Sequence, residues 1–172
     1  MAKRQDIPEN EYLKGLKDVV ENIQQAVNKM EHTSVVGLAD ALLFVAEESQ
    51  QRAPVETGDL RGSVEVKIDN EDYAYCEEYR ADKENHEKND KNRERKDYVL
   101  SVQGTLPETA SRGEVSYNTK YAANQHEHTE YDHPLGGQAK YLESVMVEHK
   151  QRILQLIANC VVSGLKGDNQ EE

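Results

Sequence analysis

Residues 114–142 read EVSYNTKYAANQHEHTEYDHPLGGQAKYL, and the interpretation of the whole chain depends on this stretch. It opens with strand-like alternation, passes through a segment rich in Tyr, His and acids, turns at Gly136 and Gly137, and leads into a helix. Three of the six histidines lie here, namely His126, His128 and His133. Imidazoles interleaved with carboxylates could form a metal or active site. They could equally form a contact surface, and the rest of the chain decides between the two.

Length and composition predict one domain spanning residues 1–172 with a lean core. The chain is 36% hydrophobic and 31% charged, and nine Tyr stand against a single Phe. Tyr keeps one polar end in water, so this bias favours amphipathic surfaces. The net charge of −12 repels nucleic-acid phosphates, which argues against a protein that passively binds DNA.

The two cysteines, Cys76 and Cys160, lie far apart and form no CxxC motif, which fits a reducing cytoplasm. The N-terminal residues lack an apolar signal-peptide region, and no apolar run approaches the ~18 residues of a membrane span. The sequence therefore predicts a protein that is neither exported by a signal peptide nor membrane-spanning.

The N-terminal part, residues 10–52, is predicted to be helical. Apolar residues recur at a 3.6-residue period over about 10–30. Residues 31–34 resemble a break, with Thr33 or Ser34 as the N-cap of a second helix. This second helix is expected to end near Arg52, because Pro54 disfavours helical geometry in the residue before it.

Alternating apolar residues predict strands at about 60–68, 98–103 and 114–118, with a possible fourth at 72–79. The strand at 114–118 is expected to pair with the one before it. Residues 69–97 form a charged insertion, interpreted as a solvated loop or as an arm that orders against a neighbour.

A long helix is predicted over 139–164, followed by an acidic tail at 165–172. The expected fold class is therefore α+β. It has a small, mostly antiparallel sheet flanked by two N-terminal helices and one long C-terminal helix.

Motifs for catalysis are weak. The histidine spacing fits no recognised zinc signature, and neither a nucleophile elbow nor a phosphate-binding glycine loop occurs. A His-rich metal-dependent enzyme remains an alternative, but we expect no catalytic residue, no metal and no cofactor.

Two stretches resemble the minor capsid or tail-completion (head–tail joining) proteins of long-tailed bacteriophages. The first is APVETGDLRGSV at residues 53–64. The second is VSYNTKYA at 115–122, followed by QHE at 125–127, HP at 133–134 and GQAKYLE at 137–143. The similarity covers about residues 35–160, and the charged insertion departs from the compact members of that family.

The resemblance implies a structural virion protein of the phage neck, assembled in the host cytoplasm as a ring that is most often a hexamer. Its partners would be a head-side connector or stopper protein and a tail tube or tail terminator protein. DNA would pass through without specific binding. The alternative within virion assembly is a tail terminator that caps the tube.

The resemblance also implies structural and interface roles for twelve residues. The first group would set the turn into the first strand, the second would fix a loop that meets a neighbour, and the third would start the last helix. In that order they are Thr57, Gly58 and Leu60; Tyr121, Ala122, His126, Glu127, His133 and Pro134; and Lys140, Tyr141 and Leu142.

Overall fold

The computed structural model describes residues 9–79 and 96–166, with side chains described for 14–78 and from 96 onward. Its fold is α+β. The elements are α1 (Glu9–Arg52), a 3-10 turn (Arg61–Ser63), β1 (Val64–Ile68), β2 (Glu71–Tyr79), β3 (Asp97–Val102), β4 (Gly113–Tyr117), α2 (Ala122–Glu127), α3 (Tyr141–Glu148) and α4 (Lys150–Lys166). No helix in the described part of the chain is long and apolar enough to cross a membrane.

The N-terminal part forms one helix of 44 residues, α1, rather than two helices. The predicted break at 31–34 is wrong because the two hydroxyls bond backwards into the helix instead of capping a new one. Thr33 Oγ1 donates to the carbonyl of Lys29 at 2.9 Å, and Ser34 Oγ donates to that of Glu31 at 2.7 Å. Ser and Thr serve both purposes, so their presence does not distinguish a cap from a helix interior.

The four strands form an antiparallel sheet in the order β3-β2-β1-β4. The possible strand at 72–79 is confirmed as β2, whereas residues 61–63 form the 3-10 turn and β1 begins only at Val64. The expected pairing of β4 with β3 is wrong, because these strands lie at opposite edges. β4 instead pairs with β1, with Val66 opposite Val115. Central placement suits β1, whose Val64, Val66 and Ile68 are all buried.

The core lies between the sheet and the second half of α1. Val64, Val66 and Ala74 pack with Ala46 of α1. On another side of α1, α4 runs antiparallel to it and very close: a Cβ added to Gly37 would lie 2.8 Å from the Cα of Ile157. α4 therefore ends near Thr33, whose side chain abuts Gly164. The first half of α1 projects beyond it.

The predicted helix at 139–164 is divided into α3 and α4 at His149, which leaves helical geometry at φ −105° and ψ 14°. Arg52 at the end of α1 contacts this junction. Its guanidinium donates to Glu148 at 2.7 Å and to Ser144 at 3.1 Å. Most of the charged insertion, 80–95, and the tail from 167 onward lie outside the described residues.

The close approach of α1 and α4 predicts opposite effects for two glycine substitutions in α1. Gly37→Ala inserts a methyl group into the contact with Ile157 and should lower the free energy of unfolding by about 1–3 kcal/mol. Gly15→Ala is the control, because a Cβ there meets nothing within 4 Å. It should leave stability unchanged or raise it by up to ~1 kcal/mol. Urea unfolding measures both, and equal effects would contradict the packing.

Candidate functional site

Two stretches far apart in the sequence are joined by a seam, which we define as residues 52–55 and 136–138. The backbone N–H of Val55 donates to the carbonyl of Gly136 at 3.1 Å, and that of Gln138 donates to Arg52 at 2.8 Å. Gly137 has φ 95°, and a Cβ there would lie 2.4 Å from the Cα of Pro54. Any larger residue at position 137 would clash with Pro54, so the close contact in the seam explains why this residue is a glycine.

The seam borders a cleft of about 650 Å³. Six of the twelve predicted contact residues line it, drawn from both motif-bearing stretches: Thr57, Gly58, Leu60, Tyr121, His133 and Pro134. Glu56, Asp59 and Asp132 also line it, and none of its lining residues in the described part of the chain is a lysine or an arginine. The cleft is therefore acidic, with Tyr121 and Leu135 adding half-exposed apolar surface.

Asp59 is held in place on one wall of the cleft. Thr57 Oγ1 donates to its Oδ2 at 2.7 Å, the Tyr98 hydroxyl donates to its Oδ1 at 3.1 Å, and Lys96 Nζ lies 3.5 Å away. The Thr57 hydroxyl, assisted by Tyr98 and Lys96, holds the pKa of this carboxyl below its usual value against the opposing effect of burial. Asp59 is therefore a fixed negative charge at neutral pH.

Gly58 makes the turn beneath this carboxylate. Its φ is 91°, and a Cβ there would lie 2.1 Å from the carbonyl oxygen of Lys96. The chain leaving the insertion is tied to the same turn, because the backbone N–H of Lys96 donates to the carbonyl of Thr57 at 2.9 Å. These contacts place Thr57 and Gly58 in this turn, and their role in a structural interface stays a prediction.

Beneath the cleft, a cluster formed by Ala53, Leu60, Ala122 and Tyr141 is buried, and Leu142 packs against it. The Tyr141 ring contacts the rings of Tyr117 and His126 edge-to-face, each at a centroid distance of 4.9 Å. Burial raises the pKa of Tyr141 to about 12. This phenol is therefore neutral, and its hydroxyl donates to the carbonyl of Ala122 at 3.2 Å.

His126 occupies a structural position with a defined tautomer. The backbone N–H of Glu143 points at its Nε2 at 3.3 Å, so that nitrogen accepts. The proton then lies on Nδ1 and is donated to Glu127 at 2.7 Å. Lys140 bridges Glu127 and Glu143 at the start of α3. These four residues form a polar cluster that connects the loop to the helix.

The other two histidines have different surroundings. The ring of His128 stacks on Tyr131 at 4.9 Å, and its Nδ1 is 2.6 Å from Glu130. His133 lines the cleft, and its buried Nε2 has no hydrogen-bond partner among the described residues. In residues 9–79 and 96–166 no group of three His, Cys, Asp or Glu side chains is placed to hold a metal ion. The metal alternative gains no support there.

The most buried thiol is also poorly suited to nucleophilic chemistry. Burial raises the pKa of Cys76 to about 11, and Gln50 donates to its sulfur at 3.0 Å. A thiol with this pKa is protonated at neutral pH, whereas a nucleophilic cysteine needs its thiolate.

The twelve predicted residues thus fall into three adjoining sets. Six line the cleft, Ala122, Tyr141 and Leu142 lie beneath it, and His126, Glu127 and Lys140 form the polar cluster beside it. Sequence reasoning missed the cleft residues Asp132 and Leu135 and the long-range partner of Asp59, Tyr98. The glycine pair was visible as a turn, but nothing in the sequence indicates that Gly137 meets Pro54.

Comparison with known proteins identifies no relative of this chain. No protein-family model, no curated protein and no solved structure matches the chain. The function is therefore inferred from the cleft and from the two motif-bearing stretches.

The seam predicts different costs for substitutions at neighbouring glycines. Gly136→Ala and Gly137→Ala both place a Cβ at positive φ, but only Gly137 meets neighbouring backbone, while Gly136 meets nothing within 4 Å. Gly136→Ala should cost about 1–2 kcal/mol of stability from backbone strain. Gly137→Ala should cost at least ~1–3 kcal/mol more, because the seam must open. Equal losses in chemical unfolding would show that the seam is not closely packed.

The Asp59 network predicts a pH-dependent effect of Thr57→Val. The lowered folded-state pKa of Asp59 contributes stability that is present above the unfolded value of about 3.9 and is lost as pH falls through the folded value. Removing the hydroxyl should therefore cost about 1 kcal/mol at pH 7, and this cost should shrink below pH 4. Thr57→Ser keeps the donor and is the control. A pH-independent cost in denaturant titrations would contradict the assignment.

Proposed function

We propose that this chain is a structural subunit of the neck of a long-tailed bacteriophage, a tail-completion protein whose ring joins the head connector to the tail. One observation carries the proposal. The two stretches that resemble this family, at residues 53–64 and 115–143, come together in one cleft and its supporting cluster. Stretches with unrelated roles would have no reason to converge in this way.

The chemistry of the cleft supports a contact role. Tyr121 and Leu135 are 42% and 45% exposed, and both lie next to the acidic side chains of the cleft. Aromatic residues at partly polar sites are typical of protein interfaces. Asp59 is fixed by three neighbours and so is prepared to receive a basic side chain from an adjoining subunit.

The fixed roles of candidate catalytic groups support a non-enzymatic function. His126 engages both ring nitrogens in hydrogen bonds that hold the start of α3. A general base needs a nitrogen free to accept a proton from a substrate. The net charge of −12 would also suit a ring that DNA crosses without sticking.

Electron microscopy of phage particles tests the proposal. Interrupting the gene should give DNA-filled heads lying beside separate, complete tails, because the joining ring is missing. Tails of uneven length would instead indicate the alternative, a tail terminator, since nothing would cap the growing tube. Normal joined virions would overturn both.

The contribution of the cleft is tested by complementing that interrupted phage with two variants. Leu135→Glu adds a charge to an acidic contact surface and should reduce joined particles at least ~10-fold. Val102→Glu, which makes a similar change at a 52% exposed position on β3, should restore joining. Full rescue by Leu135→Glu would show that the cleft does not contribute to joining.

A further inference from the structure

The first half of α1 carries an apolar stripe with no cover from the described part of the chain. We define residues 14–30 as the arm. Six of its side chains are 41–64% exposed and recur at three- and four-residue intervals: Leu16, Val19, Val20, Ile23, Val27 and Met30. Further along α1 the same spacing reaches Gly37, Ala41 and Val45, which are buried. The arm therefore continues a face that is packed in the rest of the helix.

No element in the described part of the chain covers the apolar stripe of the arm. α4 ends beside Thr33, so it does not extend along residues 14–30. Residues 80–95 and 167–172 include no aliphatic side chain larger than alanine. An apolar stripe of this size normally marks an interaction surface.

A second apolar stripe lies on α4, on a side that α1 does not cover. Leu154, Val162 and Leu165 are 57%, 46% and 40% exposed, whereas Ile157 and Cys160 face Gly37 of α1. At 1.5 Å per residue, the arm stripe from Leu16 to Met30 is about 21 Å long and the α4 stripe from Leu154 to Leu165 is about 17 Å long. The two surfaces are similar in length and in character.

Charge favours this pairing over other contacts between copies. Copies of −12 each repel one another. The arm carries three lysines and only two acids: Lys14, Lys17, Lys29, Asp18 and Glu21. α4 carries Lys150, Arg152 and Lys166 and no acid. These are elements through which two copies can approach without bringing acidic surfaces together.

We infer that the arm of one copy packs on the exposed stripe of α4 in the next copy. This contact uses two different surfaces, so each subunit binds one neighbour through its arm and the other through α4. Such head-to-tail contacts generate a closed ring or an open filament. The inference rests on the proposed ring and names the contact that would build it.

Single charge insertions test the contact without disturbing the fold, because the altered side chains are exposed. Ile23→Glu in the arm and Leu154→Glu in α4 should each weaken self-association ~100-fold or more, since a carboxylate would enter an apolar contact. The matched controls are Gln25→Glu and Asn159→Glu, which lie off the two stripes. Native mass spectrometry and light scattering should show assemblies for the wild type and controls, and monomers for the two variants.

Mixing the two variants identifies the pairing. Ile23→Glu keeps an intact α4 and Leu154→Glu keeps an intact arm, so the mixture should form dimers and nothing larger. If arms paired with arms, Leu154→Glu would assemble like the wild type, and the inference would be wrong. A wild-type chain that stays monomeric would also overturn it.

The same proteins separate failure of this inference from failure of the proposed function. If both glutamate variants assemble like the wild type, the arm–α4 contact is wrong, but the proposed neck role is unaffected. If assembly requires both stripes but heads and tails join without the gene product, the arm–α4 contact is supported and the proposed neck role is wrong.

Discussion

The close approach of Gly137 to Pro54 is the constraint on which the candidate site depends. It lets two backbone hydrogen bonds form between the end of α1 and the loop before α3. Those bonds set the position of His133 and Pro134 relative to the turn at Thr57 and Gly58. Without them, the two walls of the cleft would belong to separate parts of the surface.

The aromatic and polar groups beneath the cleft then hold its floor. Tyr141 is buried between Tyr117 and His126, and the Tyr117 hydroxyl shares a 2.8 Å hydrogen bond with Ser49 of α1. This links β4, the loop and α1 to the start of α3. A rigid support of this kind would let the loop present the same surface in every subunit, which the proposed symmetric ring would require.

Local patterns in the sequence predicted the α+β class and the approximate positions of the strands, because alternation and helical periodicity are local properties. Strand pairing was not predictable from these local patterns. The alternation in β1 shows that one face of the strand is buried, but it does not show which strands lie beside it. The pairing of β1 with β4 depends on the folded sheet. Thr33 and Ser34 misled for a related reason, since their hydroxyls serve caps and helix interiors alike. For the arm, the helical period of its apolar residues was predicted from the sequence. The exposure of that apolar face in the described structure was not.

For the site, residue types identified the members but not their geometry. Six of the predicted contact residues line the cleft, whereas the part played by Asp132 and Leu135 and the contact of Tyr98 with Asp59 depend on long-range packing. The histidines illustrate the difference. Their interleaving with carboxylates allowed a shared metal or active site, yet in the fold His126 belongs to the polar cluster, His128 stacks on Tyr131 and His133 lines the cleft.

If the protein forms the proposed ring, one surface, the cleft with its supporting seam, is buried on assembly. Amide hydrogen exchange, compared between separated subunits and the proposed neck assembly, measures this burial directly. Exchange of the backbone amides at residues 54–60 and 131–137 should slow on assembly, because these segments would be buried. Unchanged exchange in both segments, with protection confined to other surfaces such as β3, would contradict it.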